Sequence, residues 1–301
     1  MDLAKKINKI TLRLSPGFEG ILNFEGWELD NLQVSGINQN LKLLFKRMVF
    51  RFVLFNNFTN YSDLSFYKCS AQEKSPLNFF NTNLGSARFN EFDLASFDVI
   101  RIDNVSLDSV KVSNVKWFEN NQLEIGSNPT EEETQRGIRE LSRQLKYALS
   151  SSGNQIDSLL FKAREMQAYR NELRTKGKSY SIYDRIIMSV NMSNDYGLSW
   201  WKPVLIIFFT TLIFYSLMLP LFSTAINYKL GNSFADISNT LIEFWNNFDV
   251  FWQMFNPARK FSETYGDANS GLLYFLDLFH RIVLSIFIFQ IIKGFRKFSL
   301  K

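Results

Sequence analysis

The apolar residues of the N-terminal third follow neither a helical nor a simple strand period. In FDLASFDVIRIDNVSLDSVKVSNVKW, residues 92–117, Phe92, Phe97, Ile102, Leu107, Val112 and Trp117 fall on every fifth position. A helix repeats its apolar face about every 3.6 residues and a strand every two. A second run in the same period extends from Phe24 to Val99 through Leu44, Leu64 and Leu84. Thirteen of its sixteen positions are apolar, where a chain of 46% hydrophobic content would place about seven. The register slips between residues 92 and 102, and from there the position two before each rung is apolar as well: Ile100, Val105, Val110 and Val115. Asn, Asp and Ser fill the gaps. A fixed short period without helical phase predicts a solenoid. Lys42, Arg47 and Lys74 fall on inward positions of this register, which predicts irregular coils or a break near residues 36–60. The alternation Ile10, Leu12, Leu14 predicts a first strand that caps the solenoid, because an open end would expose apolar rungs.

The pattern then turns helical. SNPTEEETQRG reads as a helix start, with Asn128 as cap, Pro129 in the first turn and Glu131 to Glu133 against the dipole. Ile138, Leu141, Leu145 and Leu149 line one face of a helix running to about Ser150. After SSGN, a second helix runs from about Gln155 to Leu173, with Ile156, Leu159, Leu160, Ala163 and Met166 as its apolar face. The two predict an antiparallel hairpin.

The C-terminal part carries longer apolar runs. Val204 to Phe222 is 19 residues without a charge; at 1.5 Å per residue it is about 28 Å long, close to a bilayer's hydrocarbon thickness. A second apolar segment runs from about Gly271 to Ile292 and includes Asp277, His280 and Arg281. Asp277 and Arg281, four apart, can pair on a helix. Charge at this depth points either to the interface or to a subunit contact or water-filled lumen. Tyr180 to Met192 is amphipathic and suits the membrane surface. Trp200, Trp201, Trp245 and Trp252 are expected at the interfaces. Lys176, Lys178, Arg185 and Lys202 precede the first span, and Lys293, Arg296, Lys297 and Lys301 follow the second. The positive-inside rule then places both termini in the cytoplasm and the 224–270 loop outside.

Composition narrows the chemistry. The 301 residues suffice for two domains and include 31 Phe. Net charge is +5, but residues 1–127 hold 14 Lys or Arg and 14 Asp or Glu. That balance disfavours both mimicry of nucleic acid and binding to it. The N-terminus lacks the apolar core of a signal peptide. The single His lies in a span, which excludes a Ser-His-Asp triad and a His-rich metal site. No phosphate-binding glycine motif is present. Cys69, the only cysteine, falls on an inward rung and reads as a buried structural thiol. No enzyme activity, cofactor or metal is expected.

Three resemblances add to this reading. The five-residue units of about residues 20–120 resemble the pentapeptide-repeat family. That likeness implies a right-handed quadrilateral β-helix of roughly five coils, with each unit forming one side. The stretch RQLKYALSSSGNQIDSLLFKAREMQAYR is similar to a helical linker of bacterial membrane proteins that join such repeats to a two-helix channel-like domain. Gln144, Leu145, Lys146, Gly153, Asn154, Glu165, Met166 and Arg170 carry the match. Two spans around a loop of about 45 residues resemble a potassium-channel subunit, and Thr264, Tyr265, Gly266 and Asp267 resemble the end of its selectivity filter. The filter's first glycine is missing, so potassium selectivity does not follow.

The expected fold is thus a multi-domain β + α membrane protein: a β-helix over 1–127, a helical hairpin linker over 128–178 and a two-span membrane domain over 179–301. The expected role is a membrane-embedded, oligomeric, channel-like or pore-forming protein of the bacterial inner membrane, tetrameric by analogy. Its β-helix would sense or dock a cytosolic protein. The alternatives are a non-conducting membrane-anchored scaffold and an anti-phage effector that disrupts the membrane. Partners are the lipid bilayer, further copies of the chain and that cytosolic protein, with no nucleic acid. Thr264, Tyr265, Gly266, Asp267, Asp277, His280 and Arg281 are the pore or subunit-contact residues.

Overall fold

The structure, a computed structural model, describes residues 5–126, 128–175, 181–223, 241–268 and 270–299. The chain divides into two compact units, Met1–Ser181 and Ile182–Lys301.

In the first unit, short strands build three parallel sheets of four, six and five strands. Successive rungs are 21 to 24 residues apart: Ile10 sits beside Leu32, Leu32 beside Val53, Val53 beside Leu77, Leu77 beside Ile100 and Ile100 beside Leu123. The six-stranded sheet marks a β-solenoid of about six turns, which begins at residue 5 rather than near residue 20. Ile10–Leu14 is the end strand of that sheet.

Each turn points pairs of side chains into the shaft. From Val53 these are Val53 and Phe55, Phe58 and Asn60, Leu64 and Phe66, then Cys69 and Ala71. Four inward pairs from three sheets require one sheet to bend. The strands Val53–Asn60, Pro76–Asn83 and Val99–Ser106 bend at Asn57, Asn81 and Asn104, with φ of 49°, 47° and 52°. Asn tolerates this left-handed conformation better than most residues. A second column of left-handed residues, Arg47, Lys68, Glu91 and Asn114, turns another corner. Coils exceed four units of five because added residues sit in the corners, as at 61–63 and 72–75.

The inward register differs from the expected one between residues 41 and 59. Leu43, Phe45, Met48, Phe50, Val53, Phe55 and Phe58 are buried, one residue away from Leu44, Val49, Leu54 and Thr59. Lys42 and Arg47 are consequently exposed, Lys74 is exposed in the 72–75 corner, and the coils run unbroken through 36–60. Burying an unpaired ammonium or guanidinium would cost far more than a one-residue slip at a corner.

Phenylalanine fills the shaft in columns. Phe24, Phe45, Phe66 and Phe89 stack on consecutive turns, with centroids 5.2, 5.1 and 5.3 Å apart. The strand spacing of about 4.8 Å brings equivalent rings to this offset-stacking distance. Two asparagines inside the shaft bond from turn to turn in the same way: Asn38 donates to Asn60 at 2.8 Å, and Asn60 donates to the Leu84 carbonyl at 3.1 Å. Gly85 passes so close that a Cβ would lie 2.3 Å from the Asn60 carbonyl oxygen. Cys69 donates to the Phe45 carbonyl at 3.4 Å, and burial pushes its thiol up to about 11.

Helices α1 (Glu131–Ser151) and α2 (Gln155–Thr175) form the hairpin. Thr130, not Asn128, caps α1: its hydroxyl accepts from Glu133 N–H at 3.3 Å, and Glu133 accepts from Thr130 N–H at 2.8 Å. A Thr with an acidic residue three positions on satisfies two orphan donors reciprocally. The hairpin is no free linker. Leu141, Leu145, Ala148, Leu149 and Phe161 join the shaft core, and Gln144 accepts the Leu107 N–H at 2.8 Å. Phe161 lies edge-on to Trp117 at 4.7 Å. This docking also selects the face of α2. Ser158, Phe161, Ala163 and Ala168 are buried while Ile156 is 63% exposed, so only Ala163 of the expected stripe is buried. Of the motif residues, Lys146 and Glu165 pair across the hairpin at 2.7 Å, and Asn154 accepts from Asp157 N–H at the start of α2.

The second unit contains α3 (Ile182–Met192), α4 (Trp201–Phe222), α5 (Phe248–Gln253), α6 (Phe261–Tyr265) and α7 (Gly271–Ser299); residues 241–246 are also helical. Helices α4 and α7 are long and apolar enough to cross a membrane. Tyr180, Lys176, Lys178 and residues 224–240 lie outside the described residues. Ile182, Tyr183, Ile186 and Ile187 of α3 are exposed together on one side of the helix. Gly294 lets α7 approach the turn before α4, where a Cβ would lie 2.9 Å from the Ser199 carbonyl oxygen.

Candidate functional site

The polar residues of the two apolar helices gather inside the second unit. Asp277 lies on the inner face of α7, and its burial demands counter-charge. Arg281, one turn on, donates from Nε to Asp277 Oδ2 at 2.7 Å. The main partner comes from outside the helix. Arg259, between α5 and α6, ion-pairs with Asp277 Oδ1 through Nη2. Tyr265 at the end of α6 donates to the same oxygen at 3.0 Å.

Arg259 is itself gripped. Its Nη1 donates to the carbonyls of Met254 at 2.8 Å and Asn256 at 3.3 Å. Arg281 Nη1 donates to the Pro257 carbonyl at 3.2 Å. The chain through Pro257 is thereby folded back onto α7. Nη2 of Arg259 also lies 3.3 Å from His280 Nδ1. A guanidinium only donates, so Nδ1 accepts and the imidazole proton sits on Nε2. Nε2 then donates to Thr211 Oγ1 of α4 at 3.1 Å. One network thus joins α4, the connecting segment, α6 and α7.

Asp277, His280, Arg259 and Thr211 are each less than 10% exposed. Asp277, His280 and Arg281, expected at a lumen or a subunit contact, are joined within one copy to Arg259, Tyr265 and Thr211. The cluster is assembled from residues far apart in sequence, and its single carboxylate is shared by two guanidinium groups.

The filter-like residues take a geometry unlike a filter. Thr264 and Tyr265 end α6; Thr264 Oγ1 donates to the Lys260 carbonyl at 3.0 Å, and Tyr265 points inward to Asp277. Gly266, with φ of 63°, terminates the helix and donates to the Ser262 carbonyl, and Asp267 is exposed. In this helical turn the carbonyls of Lys260 and Ser262 accept from Thr264 and Gly266 N–H instead of being free to form a ring around an ion. Trp200, Trp201, Trp245 and Trp252 are 41 to 64% exposed, as interface residues would be.

Among the described residues no group of three or more His, Cys, Asp or Glu side chains is placed to hold a metal. Arg259 and Thr211 escaped the sequence reading. Asp277's main partner lies 18 residues away, where no helical spacing reveals it; the turn-forming Asn-Pro-Ala before Arg259 is the only local signal. No family model, curated protein or solved structure matches the chain.

Proposed function

We propose that the protein is a membrane-anchored scaffold: α4 and α7 hold it in a bilayer, and the solenoid presents its walls to a protein partner. One observation carries the reading. Apart from Ser285, the outward faces of both helices between Val204 and Phe295 are apolar, including Phe208, Phe209, Ile213, Phe275, Ile282 and Phe289. A soluble core helix would bury these residues, and lipid tails accept them without cost. The ionic cluster stays inside, as intramembrane charge must. The basic residues at the far ends of the two helices favour cytoplasmic termini, and with them a cytosolic solenoid of the right-handed, pentapeptide-repeat kind.

The scaffold reading is favoured over a pore because copies associating through these faces would line any shared channel with Phe, Ile and Leu. Such a lining dewets. The pore reading retains the support of its layout, two spans around short helices, and it requires several copies.

Fractionation of cells expressing the full chain tests the anchor. The protein stays with membranes after alkaline carbonate extraction if the reading holds; recovery in the soluble extract overturns it. Planar-bilayer recording of the purified protein decides between scaffold and pore. A scaffold gives no currents, and stable unitary currents that change with Asp277→Asn would replace it by a channel.

A further inference from the structure

The last turn of the solenoid is incomplete. The strand Val99–Ser106 pairs with Leu123–Ile125 only as far as Ile102, whose carbonyl accepts the Gly126 N–H at 3.0 Å. Beyond it, residues 103–106 have no strand on that side among the described residues. Helix α1 lies across the gap and leaves a cavity of about 220 Å³, open to one side. At one end Gly137 meets the last strand, where a Cβ would lie 2.2 Å from Ile125 Cγ2. At the other end, two turns along α1, Gln144 accepts the Leu107 N–H at 2.8 Å. Both contacts hold the walls in place, and both lie within the first unit.

The lining has two parts. Ile102, Val105, Ile125 and Leu141 supply an apolar surface. The polar residues are Asp103, Asn104, Glu140 and Gln144, and the described lining includes no Lys or Arg. Its amide donors are already committed: Gln144 Nε2 donates to Glu140 at 3.3 Å, and Asn104 Nδ2 donates to Asn81 at 3.0 Å. Acceptors are in excess. Glu140 accepts from Arg143 and Gln144 and still has a lone pair to offer. The Asp103 carboxylate has no described hydrogen bond or ion pair. The neighbouring cations answer other carboxylates: Arg101 holds Glu124 and Arg139 holds Glu172, each at 2.6 Å, and Arg136 holds Glu132 at 3.0 Å.

We propose that this cavity binds a small organic cation, a primary ammonium carried on an apolar body of about one ring. The uncommitted side-chain groups are acceptors, which selects a donor, and two carboxylates select a positive one. The apolar lining and the size select the body, since a dry cavity of roughly 150 Å³ already takes up benzene. An anion would find the amides engaged and two like charges beside it. The site is built by the first unit alone and is independent of whether α4 and α7 cross a membrane.

Ligand-observed fluorine NMR tests this on the full-length, detergent-solubilised chain, with para-fluorobenzylamine as probe. Its resonance should broaden more than in empty micelles, and added benzylamine should reverse the broadening. The uncharged para-fluorobenzyl alcohol should show no reversible broadening. Methylammonium, which lacks the ring, should not displace the probe at a concentration where benzylamine does. Asp103→Asn and Glu140→Gln should each weaken binding about five- to tenfold. Asp98→Asn removes an exposed carboxylate outside the cavity and should leave the affinity within about twofold. All three substitutions keep side-chain size, so folding is not at stake. No displaceable broadening, equal binding of the alcohol, or equal displacement by methylammonium would each overturn the proposal. So would an affinity indifferent to both lining substitutions, or lowered as much by Asp98→Asn.

Discussion

The two units are inside-out versions of each other. The solenoid buries Phe, Leu and Val and turns Asn, Asp, Lys and Glu outward. The second unit packs an apolar cluster of its own, including Phe214, Met218, Leu219 and Phe251, but it also buries Asp277, Arg259, His280 and Thr211 and turns Phe, Ile and Leu outward. On the membrane-anchored reading proposed above, one physical rule produces both: each surface matches its solvent, and whatever mismatches that solvent is gathered inside. In water the mismatched groups are apolar, so packing holds the shaft together through many small, non-directional contacts. In an apolar surrounding they are polar, so there the second unit adds a few directional contacts to its apolar packing.

That difference is sharpest when one residue is removed. Asp277→Ala leaves two guanidinium groups facing each other without their carboxylate. The expected loss is about 3–5 kcal/mol, read as a lower melting temperature of the detergent-solubilised protein and poor accumulation in cells. Replacing the buried pair together, Arg259→Met with Asp277→Leu, should recover part of that loss, because only the more exposed Arg281 is then left without its carboxylate. If the double variant were as unstable as the single one, the cluster would matter for something other than charge balance.

The shaft should respond through volume. Phe66→Ala opens a gap in the stacked column and should cost about 3–5 kcal/mol in denaturant unfolding of the solenoid signal. Phe66→Leu should cost distinctly less; equal losses would mean that ring stacking rather than filling sustains the column. A smaller effect is expected at Asn60, where Asn60→Ala strands the Asn38 amide and the Leu84 carbonyl, at about 1–3 kcal/mol.

The comparison also predicts contrasting chemistry. Cys69 lies in the dry interior of the shaft, where burial holds its thiol at about 11. It should resist a maleimide reagent at pH 8 in the folded protein and react on unfolding. Because this pKa is raised, the neutral thiol's stabilising effect is complete below the ordinary value of 9.0 and is lost as pH climbs toward 11. Cys69→Ala should flatten that part of the stability profile, as followed by melting temperature across the range. The smallest change is at Lys74, an exposed corner residue with φ of 55°. Lys74→Asn should raise the unfolding free energy, read by denaturant titration, by a few tenths of a kcal/mol, since Asn tolerates this conformation better.

Much of this was present in the order of residues. The five-residue period specifies a shaft, because a residue's place along a stacked coil decides whether its side chain meets the interior. Long apolar runs mark two helices long enough to cross a membrane. The Asp277–Arg281 pair is local and follows from helical spacing. Tertiary structure decided what depends on distant partners. Corners absorb extra residues, so only the stacking of neighbouring turns settles that Phe45 rather than Leu44 points inward. The hairpin's buried face was open until Phe161 met Trp117, because α2 has apolar residues on several sides. Arg259 reaches Asp277 only when the connecting segment folds back, and the same contact draws Tyr265 inward and leaves the filter-like residues at a helix end. Periodicity records the solvent each residue faces; which charge answers a buried charge is set by the path of the chain between them.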